Sequence, residues 1–154
     1  MDVNWQDLHH RELTAAQVYQ ILALRNAVFI VEQNCPYQDV DGSDLVGENR
    51  HLLGMLENQL VGYARILAPT AADKPVKIGR VIVSSEARGL SLGNRLMEQA
   101  IASCEHYWPH HSLFLSAQAH LQDFYERFGF KAVSEIYLED NIPHIDMTKP
   151  GLPE

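Results

Sequence analysis

Residues Arg80–Leu96, RVIVSSEARGLSLGNRL, decide how the chain folds. Val81, Ile82 and Val83 end a run, VKIGRVIVS, whose density of Val and Ile fits a strand buried on both faces. The chain then enters RGLSLG. Gly89 and Gly93 tolerate unusual dihedrals there and let backbone N–H groups approach a ligand. Behind the turn, Leu92, Leu96, Met97, Ala100, Ile101 and Cys104 recur on one side of a helix that Pro109 stops. The free N–H groups and positive dipole end of that helix point back at the turn, as binding of a pyrophosphate requires. Arg88 offers a charge-assisted bond to such an anion. Ser91 stands where the spacing suggests glycine. Two common phosphate motifs do not fit. A P-loop needs Lys-Ser/Thr after its last Gly, where Asn94 and Arg95 stand, and no G-x-G-x-x-G opens a βαβ unit. Glycine turns also precede helices that bind nothing, so the turn alone leaves both readings open.

On the N-terminal side, VNWQDL alternates as a first strand. LTAAQVYQILALRNAVFIVEQ follows as one helix, with Thr14 as N-cap and Gln17 completing a capping box. Val18, Ile21, Leu22, Arg25, Val28 and Phe29 mark its inward face, and Pro36 its end. NCPYQDVDGSDLVGENR is the longest irregular stretch; it holds Asp39, Asp41, Asp44 and Glu48 with no balancing cation before Arg50. It reads as a solvated loop whose aspartates make turns, with attraction of a cationic amine as the alternative. RHLLGMLE and QLVGYARIL form a hairpin about Asn58. Beyond the quoted segment come a buried strand, SLFLSA, and a short helix, HLQDFYERFGF, closed by a left-handed Gly129. KAVSEIYLED and PHIDMTK make a final strand pair. The order β-α-β-β-β-α-β-α-β-β predicts an α/β fold of the α+β type, a mixed central sheet flanked by helices, as one domain over residues 1–154.

Bulk properties narrow the function. A formal net charge of −8 argues against a nucleic-acid backbone as partner. No apolar run is long enough to span a bilayer and none has the form of a signal peptide, so a cytoplasmic protein without a membrane role is expected. Of the two cysteines, Cys104 falls on an apolar helix stripe and Cys35 in a loop with no activating neighbour, which favours reduced, structural thiols. His106, His110 and His111 cluster in HYWPHH, but Pro109 interrupts them and no ligand spacing emerges, so no metal is expected.

The strand, turn and helix resemble those of the GNAT superfamily of acyl-CoA-dependent N-acetyltransferases. Its pyrophosphate loop reads Arg/Gln-x-x-Gly-x-Gly/Ala. Here Arg88-Gly89-Leu90-Ser91-Leu92-Gly93 matches except at Ser91. RVIVSSEA resembles the splayed strand, beside its parallel neighbour, whose backbone binds the pantetheine arm. AQAHLQDFYERFGF resembles a second motif, with Gln118 in its Asn position and Tyr125 in its Tyr position. WQDLHH, FIVEQNCPYQDVDGSD, GRVIVS and DNIPHIDM are similar to the ElaA subfamily.

The resemblance implies direct transfer of an acetyl group from acetyl-CoA to a primary amine by a monomer or homodimer. It places the cofactor along Val81, Ile82 and Val83, around Arg88, Gly89, Leu90, Ser91, Leu92, Gly93 and Asn94, and near Gln118 and Tyr125. It makes Tyr125 the acid for the departing thiolate, a task suited to a phenol protonated at neutral pH. A backbone N–H, from Val83, would meet the charge that develops on the thioester oxygen. Glu32, at the end of the first helix, is the implied base, with His51, His120, Glu135, His144 or a water chain as alternatives. A CoA-binding regulatory module and an enzyme for another acyl thioester are the competing readings.

Overall fold

Local signals open and close the elements much as the sequence predicts. In a computed structural model that describes residues 2–88 and 91–154, Thr14 caps helix α1 (Ala15–Arg25). Its hydroxyl accepts the Gln17 N–H at 3.1 Å, and the Gln17 side chain accepts the Thr14 N–H at 2.9 Å. The helix does not run on as one α-helix. From Asn26 to Glu32 it widens into π turns, with the Gln33 N–H donating to the Val28 carbonyl and that of Cys35 to Ile30. Consecutive bulky and β-branched residues, Val28 to Val31, crowd the tighter α turn.

Among the described residues eight strands form one sheet: β1 (Asn4–His9), β2 (Arg50–Leu56), β3 (Gln59–Leu67), β4 (Val76–Val83), β5 (Leu113–Gln118), β6 (Lys131–Ala132), β7 (Tyr137–Glu139) and β8 (Ile142–Lys149). Their order is β1-β2-β3-β4-β5-β8-β6, with β7 also on β8. Helices α2 (Leu92–Tyr107) and α3 (Gln122–Glu126) join β4 to β5 and β5 to β6. The β4–β5 pair is parallel and every other pair antiparallel. The hairpin turns Glu57–Asn58 and Asp140–Asn141 have positive φ at both central residues, the twist-compatible choice for two-residue loops.

The last strand pair departs from expectation. KAVSEIYLED supplies two short strands, because the Ser134 hydroxyl accepts the Asp146 N–H at 3.0 Å where a continuous strand would use its backbone.

The sheet carries a core on each face. Ile21 and Val28 pack on Leu53, Leu60, Tyr63 and Ile82 on the α1 face. On the other, Leu96, Met97 and Cys104 of α2 and Tyr125 of α3 pack on Leu52, Ala64, Leu115 and Met147. Trp5 seals the start of α2: it packs with Val61, Val83, Ala87 and Leu92. Gly54 makes room for its ring, since a Cβ there would lie 2.7 Å from Trp5 Cζ3.

Candidate active site

The strands β4 and β5 touch only at Val76–Leu113 and Lys77–Phe114, then diverge. The edge of β4 beyond Lys77 therefore faces a gap. A bulge sits in the same strand, in its ladder with β3. Tyr63 pairs with Ile82 and Arg65 with Gly79, so Ala64 alone faces both Arg80 and Val81, and Arg80 has φ +51°. Past the bulge, the Ser84 N–H donates to the Val61 carbonyl at 2.8 Å. Successive N–H groups of a strand point to opposite edges, so that of Val83 points away from β3, into the gap. Side chains alternate likewise: Ile82 joins the α1-side core, while Val81 and Val83 pack toward α2.

At the end of β4 lies a cavity of about 360 Å³. Val83, Arg88, Ser91, Leu92, Gly93 and Asn94, all expected at the cofactor, line it together with Phe124 and Arg127. The expected contacts Gly89 and Leu90 lie outside the described residues. Leu92 is buried, which leaves its backbone for a ligand. Ser91 is the N-cap of α2 at φ +59°, ψ +21°, and its side chain makes no capping bond. The position that looked made for glycine is thus left-handed, and serine occupies it. Arg127 was missed by the sequence reading; its only signal was a cation two residues beyond Tyr125.

Tyr125 and Glu32 approach from opposite faces of the sheet. The Tyr125 ring packs edge-on against Phe124 and Phe130. Burial alone pushes its phenol up to about 12, so it stays protonated at neutral pH. Glu32, half-exposed on the α1 side, pairs with Arg88 at 2.7 Å, and Arg88 also donates to the Val83 carbonyl at 3.2 Å. Gln118 donates to Gln33 at 3.3 Å, so it too faces the α1 side.

The other base candidates scatter. His51 is fully buried; its Nε2–H donates to the Asp44 carbonyl at 2.8 Å, leaving Nδ1 to accept from Tyr63 Oη at 2.6 Å. Burial lowers its pKa and keeps it neutral. His144 lies beside Glu139 at 3.6 Å and stacks on Tyr137, whose hydroxyl bonds Ser116 and Asp146. His120 and Glu135 are not among these contacts. Cys35 is buried and donates to the Asp140 carbonyl at 3.3 Å. His110 and His111 bond the Leu152 and Lys74 carbonyls.

The acidic loop is solvated on its outer side, where residues 40–42 and 45–48 are exposed and Asp41 accepts the Ser43 N–H in a turn, but its aspartates also reach inward. Its cations come from distant strands and helices. Asp39 receives Arg25 Nε at 2.9 Å, Arg80 Nε at 2.8 Å and Tyr37 Oη at 2.7 Å. Arg65 grips Asp41 through two bonds of 2.9 Å and reaches Asp44 at 3.2 Å; Arg25 also holds Asp44, at 2.5 Å. Arg25 and Asp39 are 0% and 5% exposed. Burial works against the charge of Asp41 and Asp44, but the Arg65 and Arg25 bonds prevail and hold both carboxyls well below the usual carboxylate range.

A diverging parallel pair, a left-handed cap before a long helix and a cation-flanked cavity agree with comparison to known proteins. The family profile of the acetyltransferase (GNAT) domain matches residues 14–150. The chain belongs to the GNAT acetyltransferase family and is an acyl-CoA-dependent acyltransferase. It is 56% identical to the protein ElaA of Escherichia coli strain K12 over 147 residues, 96% of each chain. The crystal structure of Escherichia coli ElaA superposes with a TM-score of 0.92, covering 96% of this chain and 99% of that one, at 54% identity. The crystal structure of an acyl-CoA N-acyltransferase from Pseudomonas aeruginosa does so with the same score and coverage, at 50% identity.

Proposed function

We propose that the chain moves an acetyl group from acetyl-CoA to a primary amine by direct attack. The observation that carries this reading is the gap between β4 and β5, with the Val83 N–H pointing into it and the cavity before α2 at its mouth. The pyrophosphate lies against Arg88, Arg127 and the first N–H groups of α2, and the pantetheine arm runs along the free edge of β4. The Val83 N–H meets the thioester oxygen as charge develops on it. The amine enters from the α1 side, where Glu32, Gln33 and Gln118 stand, and Glu32 or a water it holds takes the proton. Tyr125, on the opposite side, gives its proton to the departing thiolate. A pyrophosphate competes with Glu32 for Arg88, so cofactor arrival frees the carboxylate for the amine.

The test is free-thiol release from acetyl-CoA with polyamines, amino acids, aminoglycosides and peptides as acceptors. Failure of CoA to bind would overturn the reading. Tyr125→Phe is expected to lower kcat by about a hundredfold with little change in KM for acetyl-CoA. Because the phenol titrates near 12, the wild-type rate should show no acid-loss limb below about pH 10. Full turnover by Tyr125→Phe would remove the acid assignment alone.

A further inference from the structure

We propose that Asp39 and Arg80 are positioning residues for acyl transfer: their ion pair holds the bulge that turns the Val83 N–H toward the thioester. The inference rests on the preceding reading of Val83. The register shows what the bulge does. Arg65 pairs with Gly79 on one side of it, and Tyr63 pairs with Ile82 on the other. In a regular ladder continued from Arg65–Gly79, Tyr63 would face Val81 and Val61 would face Val83. Val61 is the residue whose carbonyl bonds across the ladder, to the Ser84 N–H. The Val83 N–H would then be spent on β3, and that of Ile82 would face the gap. The side chains of residues 81 to 83 would exchange faces, as any one-residue slip demands. One extra residue therefore selects which backbone donor the substrate meets.

That extra residue is strained. A non-glycine side chain at positive φ brings its Cβ too close to the following carbonyl oxygen, and Arg80 sits at φ +51°. Its side chain supplies the compensation. Arg80 Nε donates to Asp39 Oδ1 at 2.8 Å and Nη2 to the Asp39 carbonyl at 3.1 Å. Asp39 cannot yield, because Arg25 of α1 grips the same two groups: Nε donates to Oδ2 and Nη2 to the carbonyl, each at 2.9 Å. Tyr37 Oη adds a bond to Oδ1 at 2.7 Å, and Arg80 lies over the Tyr37 ring. Helix α1, the acidic loop and the reacting strand are locked through one buried carboxylate.

The experiment uses acetyl-CoA isotope-labelled at the thioester carbonyl and bound to the full chain. Its carbonyl stretch is read by infrared difference spectroscopy and its affinity by calorimetry, so no acceptor is needed. Wild type should show the carbonyl moved to lower frequency by the hydrogen bond. Arg80→Ala and Asp39→Asn should lose most of that movement while binding acetyl-CoA within about threefold of wild type, and kcat on any acceptor that turns over should fall about tenfold or more. Arg80→Gly, which takes the left-handed angle freely, should recover most of the movement. If Arg80→Ala does not fold, Asp39→Asn carries the test. A wild-type carbonyl band in Asp39→Asn or in folded Arg80→Ala would overturn the proposal. So would equal loss of affinity and band movement, or an Arg80→Gly protein no better than Arg80→Ala. Absence of acetyl-CoA binding by wild type would instead overturn the reading on which the proposal rests.

Discussion

Arginines serve two regions of this molecule in opposite ways. In the loop between α1 and β2, Arg25, Arg65 and Arg80 are matched by Asp39, Asp41 and Asp44 of the same chain, largely out of water. Around the turn before α2, Arg88 has one half-exposed carboxylate partner, Glu32. Arg127 lies over the Phe124 ring and, among the described residues, has no carboxylate partner. A cation whose partners are all internal fixes the chain. A cation left short of them beside the start of a long helix is, on the reading proposed above, open to an anion from outside.

The comparison breaks most visibly at Arg25. Arg25→Ala strips Asp39 and Asp44 of the most buried of their cations, leaving them Arg80 and Arg65, and is expected to cost about 3 kcal/mol of stability, measured by denaturant unfolding. Unchanged stability would mean that the network is incidental. The network should also answer to acid. Asp41 and Asp44 have folded-state pKa values below the roughly 3.9 of an unfolded aspartate. Their contribution is present above that value and is lost as pH falls through the folded values, so stability should drop steeply below about pH 4. Arg65→Met, scanned over the same range, should flatten that drop.

At the turn the expected changes fall on affinity instead. Arg88→Ala and Arg127→Ala should each weaken CoA binding by roughly tenfold and lessen its salt dependence, with unfolding stability moved by less than about 0.5 kcal/mol. A large stability loss would place these arginines in the first group. The smallest effect is expected at Ser91. Glycine removes the strain of φ +59°, so Ser91→Gly should gain up to about 1 kcal/mol of stability and keep CoA affinity. Ser91→Val would combine crowding with a β-branched residue in a left-handed conformation, so only the glycine variant reads the two effects apart.

How much was legible in the sequence follows the same division. Thr14 and Gln17 are three residues apart, Glu57 and Asn58 adjacent, and RGLSLG runs into the first turn of its helix, so short-range chemistry announced them. The arginine partners of Asp39 are 14 and 41 residues away, and no local pattern says which arginine will meet which aspartate. The bulge is carried by an arginine in a conformation that arginine rarely adopts, so it had no compositional mark. Arg127 reaches the turn because Phe124 of α3 packs against Gly93, 3.6 Å from where a Cβ would stand, a contact made only in three dimensions. Tyr125 was named through the family motif; the upward shift of its phenol follows from the apolar surroundings that the fold supplies.

Trp5, packed in the first strand against Val83 and Leu92, has the Arg95 guanidinium 5.9 Å from its ring centroid. The other tryptophan, Trp108, caps the far end of α2. Indole emission responds to nearby charge and to ordering of its surroundings. The chain thus contains a fluorophore seated under the turn and a second one a helix length away, which Trp108→Phe silences. Ligand arrival at the turn can be followed by light from the native sequence, with no dye attached.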